Sequence, residues 1–482
     1  MLSVVSVMSQ CSENPHSGKK RSCRIKRRLA QALGQCGYEV DGCMDPLRLH
    51  SHCAGMDSPA FALAALGVNN IEVVATEVDP HAALFHVLHH PSTEHLIADM
   101  KHLANGDVGG PCWTHGGKKC TWGHTGDLSA VFSSFVCKPW SRANPKRHKA
   151  DPCVERGKNK SVDMFYYTRD ILARFEPKVF ILENVDGVTA RRTDHSDSQG
   201  CTTPLQFMLD DPTHGLRQMV KNGKPLYTVE CVSGVTGTSA GVPQERPRTI
   251  FFGVRTDLRG MNAKDVARCF ADILQAYGGA GPAQHVDDFI RARKTGIWSD
   301  DEPVKENCDG ETLDEHISYC TEFKKACNHL RKKKYPDLEA VLMPPETRPS
   351  KDVVGTPRLR ATLDVSLVIR KHVEGCSGSG CRCHPLADIS QRPDRASTKT
   401  DGTLPTLMTS SQVFSYQTGQ FVSPRELVTS MGYKPANITF MTPSAARTLV
   451  GNGYVVQVCE CAVAAACLVT GHVKDVRGKK CD

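Results

Sequence analysis

A chain of 482 residues has room for two to three domains, and an apolar share of 40% with charges of both signs fits a water-soluble globular protein, not a fibrous or disordered one. The net charge of +8 is local: Lys19, Lys20, Arg21, Arg24, Lys26, Arg27 and Arg28, with the stretch from Arg142 to Lys160, carry more than all of it, and the remainder is net acidic. That distribution suits contact with a polyanion. The opening residues MLSVVSVMSQ lack the pattern of a secretory signal, and the 22 cysteines follow no disulfide framework, so reduced thiols are expected.

Residues 1–45 read as a loosely structured basic arm with a short helix from Ile25 to Leu33. The cluster KKRSCRIKRR is either a nuclear-localisation signal or nucleic-acid arm, or a solvated charge run. It predicts a nuclear protein in a eukaryote and a cytoplasmic one otherwise, with no secretion.

A regular α/β pattern follows. Ser58-Pro59 is expected to open a helix that runs to Leu66 and stops at Gly67. Ile71 to Thr76 reads as a strand ending on Glu77-Val78-Asp79-Pro80. Residues 81–90 read as a helix, and Leu96-Ile97-Ala98 as a short apolar piece ending on Asp99. Residues 104–126 form a Gly-rich insertion. Ala130-Val131-Phe132 then has the unbroken apolar character of a buried parallel strand, which puts Cys137 just beyond a strand's carboxyl end. After the basic, structure-poor stretch 142–160, a helix is predicted from Asp163 to Phe175, halted by Pro177. Val179 to Leu182 is a second buried strand, ending on Glu183-Asn184-Val185, and Thr249 to Val254 is another. This alternation predicts an α/β fold with a doubly wound, mostly parallel sheet. Glu77, Asp99, Cys137 and Glu183 would then share the sheet edge where such folds bind ligands.

Residues 256–395 are polar and irregular, with a basic helical run around Tyr319 to Lys334, and read as a smaller second domain. Regular patterning returns at Thr403. Ser423-Pro424-Arg425-Glu426 combines an N-cap, Pro at N1 and a capping-box Glu, with a stop at Gly432. Tyr454 to Thr470 is apolar and nearly of membrane-spanning length, but it contains Gln457 and Glu460, so a buried helix is expected and no membrane partner.

Seven stretches in order, CAGMDSPAFALAALG, ATEVDP, FVCKPWSRAN, LENV, GVPQERPR, SPRELVTSMGY and LVGNGYVV, together resemble the cytosine-C5 DNA methyltransferase family over roughly 45–255 and 400–470. The resemblance implies a Rossmann-like methyltransferase domain at 46–255 and 396–482, with a target-recognition domain at 256–395 between its two segments. It implies methyl transfer from S-adenosylmethionine to C5 of cytosine in double-stranded DNA, on a base flipped out of the duplex.

By position, Cys137 would be the nucleophile toward C6, its thiolate favoured by the positive loop behind it. Glu183 would bond N3 and the amino group, with a pKa raised by burial. Arg248 would contact the base carbonyl. Gln244 and Arg246 fall on the substrate side, more as supports of the site than as base contacts. Glu77 would hold the ribose hydroxyls, Asp99 the adenine, and Gly55 and Asn452 the methionine end. Arg142, Lys146, Arg147 and Lys149 would meet DNA phosphates.

The chain departs from the family pattern at Val136, where proline is usual, at Lys138, and at Asp57 and Ser58, where glycines are usual; Asp57 would either face the methionine carboxylate or cap the helix. An RNA cytosine methyltransferase and a non-catalytic nucleic-acid binder therefore stay open beside the main reading. Zinc-ligand spacings occur at Cys112, His115, Cys120 and His124, and at Cys376, Cys381, Cys383 and His384. In a chain so rich in Cys and His, chance clustering is the expected account of both.

Overall fold

The computed structural model describes residues 18–477 except 43, 107–109, 121–126, 142–155, 158–159, 191–202, 282, 291–312, 334, 338–355, 375–385, 391–396, 400, 417, 419, 434–437 and 439–440. Its centre is a seven-stranded sheet built from β1 (Leu47–His52), β2 (Asn70–Thr76), β3 (His95–Ile97), β4 (Ala130–Ser133), β5 (Val179–Val185), β6 (Tyr227–Val235) and β7 (Arg248–Arg255). The order across the sheet is β6-β7-β5-β4-β1-β2-β3. The pairs β3/β2, β2/β1, β1/β4 and β4/β5 are parallel, and β7 is antiparallel to both β5 and β6.

Alternate residues of the middle strands feed two cores, which is why these strands read as continuous apolar runs. Ala130, Phe132, Val179, Ile181, Ile250 and Phe252 face one core. Val131, Phe180, Leu182 and Phe251 face the other. The first is covered by α1 (Gly18–Gln35), α2 (Ser58–Leu66), α3 (Pro80–His89), α5 (Ala263–Gly279) and α10 (Val456–Thr470), the second by α4 (Lys160–Phe175). The sheet is doubly wound, as the alternation of elements predicts. The register leaves no room for a side chain at Gly253, where a Cβ would sit 2.0 Å from the Phe180 ring of the neighbouring strand.

Local rules account for most helix starts. Asp79 accepts from the amides of His81 and Ala82 ahead of Pro80. Ser423 and Glu426 form the expected capping box at α8 (Pro424–Ser430). At α2 the cap position falls to Asp57, not Ser58, and its side chain caps nothing.

The N-terminal region departs further from expectation. Helix α1 is longer than predicted, and Leu29, Ala32 and Leu33 are buried in the first core. Arg28 is not a free cation for nucleic acid: its guanidinium donates to the carbonyls of Tyr277 (2.8 Å), Gly278 (3.0 Å) and Gly281 (3.3 Å) at the C-terminal end of α5. Unsatisfied carbonyls and the helix dipole both favour a cation there. Helix α5 itself lies in the stretch read as irregular, yet it packs on β7 and α10. Beyond it, α6 (Leu313–Lys333) and α7 (Pro357–Glu374) share their own small core, and a four-stranded sheet lies over part of α7.

The apolar C-terminal run forms α10, buried along nearly all its length. It carries Glu460, whose carboxylate accepts from Tyr277 Oη at 2.9 Å. Burial drives the Glu460 pKa from 4.5 up to about 8, against the opposing pull of that hydrogen bond. A carboxyl whose folded pKa lies above its unfolded value binds more protons in the native state between the two. Its contribution is therefore present below about 4.5 and is lost as pH rises toward about 8. Glu460→Gln keeps an acceptor for Tyr277 and removes the titration. In thermal unfolding the variant should gain on the wild type steadily from pH 5 to 8; a difference that does not change with pH would contradict the assignment.

Candidate active site

In an open parallel sheet a crevice opens where the strand order reverses, because neighbouring crossovers leave on opposite faces. Here that point lies between the carboxyl ends of β1 and β4. The crevice is walled by His52, Cys53 and Ala54 after β1, by Ser133 and Ser134 at the end of β4, and by Asn452 and Tyr454 from the C-terminal segment. Burial pulls the His52 imidazole down to about 3, so that wall is uncharged at neutral pH.

The loop carrying Cys137 is fixed along its length. The Ser134 amide donates to the His52 carbonyl at 3.2 Å. Asn184 Nδ2, fully buried on β5, donates to the Phe135 carbonyl at 3.0 Å. Burial pushes the pKa of the nearby Cys53 thiol up, and the backbone of Val136 pulls it down. Trp140 and Ser141 both donate to the Cys137 carbonyl at 3.0 Å, and the Phe135 and Trp140 rings pack edge to face.

Glu183 and Arg248 meet because β5 and β7 are paired antiparallel, with Glu183 opposite Ile250. Arg248 Nε lies 2.5 Å from Glu183 Oε1, and both side chains are largely buried. The contact is an ion pair whose Nε–H is not aligned as a hydrogen bond; Nη1 donates to the Pro247 carbonyl at 2.9 Å. Cys137 stands within reach of their charges. Burial pushes its thiol pKa up, Arg248 pulls it down, Glu183 pushes it up and Arg246 pulls it down. The basic loop expected to favour the thiolate lies mostly outside the described residues; among those described, burial leaves the thiol raised, with Arg248 as its strongest counterweight.

Gln244 and Arg246 do not face a substrate. Gln244 is fully buried and donates to Ser430 Oγ at 3.1 Å. Arg246 donates to the carbonyls of Leu407 (3.0 Å), Val450 (3.1 Å) and Gly451 (2.6 Å). Gln244 thus ties the GVPQERPR loop to the end of α8, and Arg246 ties it to the end of α9 (Pro443–Asn452), so both act as supports. Arg142, Lys146, Arg147 and Lys149 lie outside the described residues, as do Cys376, Cys381, Cys383 and His384.

At the adjoining strand end, Glu77 accepts from the amides of Gly55 (2.7 Å) and Asp79 (2.8 Å), one on each carboxylate oxygen. Each oxygen keeps lone pairs free for hydroxyl donors. Asp99 accepts from the Lys101 amide at 3.0 Å and pairs with its side chain, at the end of the neighbouring β3. Asn452 is exposed at the crevice mouth. These residues fit a nucleoside-bearing ligand with its sugar at Glu77.

Asp57 takes neither role expected of it. Its backbone is left-handed (φ 51°), which accounts for glycine being usual there. Its side chain turns inward, accepting from Ser51 Oγ at 2.9 Å and lying 3.7 Å from His86 Nδ1. Glu72 completes this buried group, bonded to His86 and Thr93. Burial raises both acids, Glu72 to about 7, and lowers His86. Asp57 therefore puts no charge into the crevice.

Two contributions had no clear sequence signal. Tyr454 is buried close enough to Glu183 and Arg248 to feel their charge. Its carbonyl accepts from Ser58 Oγ and Tyr433 Oη, which draws the two C-terminal motifs onto α2. Asn184 was visible only as part of LENV.

The balance at Cys137 can be tested by alkylation of the free protein with iodoacetamide across pH. The expected midpoint lies above the ordinary thiol value of 9.0 and rises further in Arg248→Gln. A midpoint unmoved by that substitution would separate Arg248 from the thiol.

The family profile described as C-5 cytosine-specific DNA methylase matches residues 53–467. No curated protein sequence matches significantly. Among solved structures, a putative DNA modification methyltransferase encoded within an E. coli prophage aligns with TM-score 0.47 and 14% identity, over 88% of this chain and 99% of that one. The Dnmt2 methyltransferase of S. pombe aligns with TM-score 0.42 and 12% identity, over 87% and 98%. With the profile spanning both segments that build the crevice and the Cys137 cluster, this chain belongs to the C-5 cytosine-specific DNA methylase family.

Proposed function

We propose that the protein methylates C5 of cytosine in double-stranded DNA through a covalent bond between Cys137 and C6. The observation that supports this reading is that Cys137, a few residues after the Ser133–Ser134 wall of the crevice, feels the charges of the Glu183–Arg248 pair. Family membership implies S-adenosylmethionine as donor, which supplies an electrophilic methyl group.

In this reading Glu77 accepts the ribose hydroxyls, Asp99 lies toward the adenine, and Asn452 borders the methionine end. The Cys137 sulfur adds to C6 while Glu183 serves the proton needed at N3, so that the electron pair reaches C5. Arg248 holds Glu183 in place and offers its remaining donors to the base carbonyl. After C5 has taken the methyl group, loss of the C5 proton expels the sulfur and restores the ring. Segment 256–395, apart from α5, carries target recognition, and the cations at 142–149 meet phosphates. The target base must leave the stack to reach Cys137, at a cost of about a few kcal/mol.

The test is incubation with S-adenosylmethionine and either duplex DNA or RNA containing 5-fluorocytosine, which cannot lose its C5 substituent as a proton. A denaturation-resistant adduct is expected on DNA, and none with Cys137→Ser. Glu183→Gln should slow turnover on ordinary DNA about a hundred- to ten-thousand-fold. An adduct on RNA alone would make this an RNA methyltransferase, and tight DNA binding without any adduct would make it a non-catalytic binder.

A further inference from the structure

The Gly-rich insertion folds into a knuckle on the open edge of the sheet. Its base is a short hairpin pairing Gly110 with Cys120 and Pro111 with Lys119. Between them the chain turns tightly, with the Cys112 amide donating to the Lys118 carbonyl (3.0 Å) and the Gly117 amide to the Cys112 carbonyl (2.7 Å). Gly116 and Gly117 both have positive φ, 66° and 83°, a reversal that side chains resist. The knuckle extends the sheet beyond β3: Ile97 bridges Cys112, and the Trp113 amide donates to the Leu96 carbonyl at 2.7 Å.

This fold brings His95 to the three side chains that the local spacing already marks, Cys112, His115 and Cys120. The candidate ligand atoms of His95, Cys112, His115 and Cys120 all lie within 4.8 Å of one another. His115 Nδ1 is 3.3 Å from Cys112 Sγ and 3.1 Å from Cys120 Sγ. The rings of His95 and His115 have centroids 5.3 Å apart, and His95 Nδ1 is buried with no hydrogen-bond partner. Tetrahedral zinc takes sulfur at about 2.3 Å and imidazole nitrogen at about 2.0–2.1 Å, which sets neighbouring ligand atoms roughly 3.3–3.8 Å apart. Two thiolates with two neutral imidazoles also balance the charge of a divalent ion, and a mixed nitrogen–sulfur set favours zinc over magnesium or calcium.

We propose that His95, Cys112, His115 and Cys120 form a structural zinc site that staples the knuckle to the edge of the sheet. The sequence spacing suggested His124 as fourth ligand; His124 lies outside the described residues, and the structure brings His95 from β3 instead. A closed set of four protein ligands marks the site as structural, with no open position for catalysis. The knuckle also reaches the strand end that carries Glu77, since the Trp113 indole donates to the Glu77 carbonyl at 2.9 Å. The proposal does not depend on whether the nucleic acid is DNA or RNA.

The full chain, expressed with added zinc and purified under reducing conditions, should hold about one zinc per molecule by elemental mass spectrometry. X-ray absorption on that wild-type protein should show two sulfur and two nitrogen neighbours, a readout that needs no variant to fold. Cobalt exchange should give thiolate-to-metal absorption. The pair Cys112→Ser and Cys120→Ser should lose more than nine-tenths of the metal, and His95→Ala most of it. The pairs Cys376→Ser with Cys383→Ser, and the single His124→Ala, should retain it. The proposal is overturned by a metal-free wild type, by a Cys112–Cys120 disulfide in the reduced preparation, by a sulfur-only shell, or by full metal content in the Cys112/Cys120 variant.

Discussion

The parallel pairing of β1 with β4 is the constraint on which the reacting end of this molecule depends. It joins Leu49 to Ala130 and His52 to Ser133, bringing together chain segments some eighty residues apart. The strand order reverses at that seam, so the two chains part and leave the crevice. The Ser134 amide is pinned to the His52 carbonyl there. Cys137 is therefore aimed from the same backbone that forms the wall opposite it. The N- and C-terminal motifs close on this seam: Ser58 of α2, Tyr433 and Tyr454 share hydrogen bonds, and Arg246 fastens the loop before β7 to the end of α9.

Electrostatics at the site follow from burial more than from net charge. Glu183 and Arg248 are held together by strand register, and Cys137 sits under the influence of both. Two further acids, Asp57 and Glu72, are buried behind the crevice with His86, and burial pushes their pKa values up. A protonated buried acid can donate as well as accept, which allows two carboxyl groups to sit side by side without mutual repulsion. The Glu183–Arg248 pair is itself largely buried, a setting in which its field is less screened than at the surface.

The sequence carried the order of strands and helices, because buried parallel strands are continuous apolar runs and strand ends are marked by polar punctuation. The resemblance singled out Cys137, Glu183 and Arg248; the structure pairs Arg248 with Glu183 and puts Cys137 within reach of their charges. What the sequence did not carry were contacts between distant segments. Arg28 looked like one charge in a basic run, yet it caps α5, some 250 residues away along the chain. Gln244 and Arg246 read as supports of the site more than as base contacts, but only packing shows which segments they hold: Ser430 for one, Leu407, Val450 and Gly451 for the other. Asp57 looked like a cap or an intrusion, and its left-handed backbone turns it inward instead. His95 could not be linked to the Cys112 cluster by spacing, since the strand β3 and the knuckle meet only through the sheet edge.

In the proposed reaction, this cluster would place a methyl group on C5 of cytosine in DNA. The most direct measurement is to incubate the protein with methyl-labelled S-adenosylmethionine and duplex DNA, digest to nucleosides and identify the labelled product. The account predicts label in 5-methyl-2′-deoxycytidine, absent when Cys137 is replaced by alanine. Label on the exocyclic nitrogen of cytosine or on adenine, or C5 methylation that persists without Cys137, would contradict it.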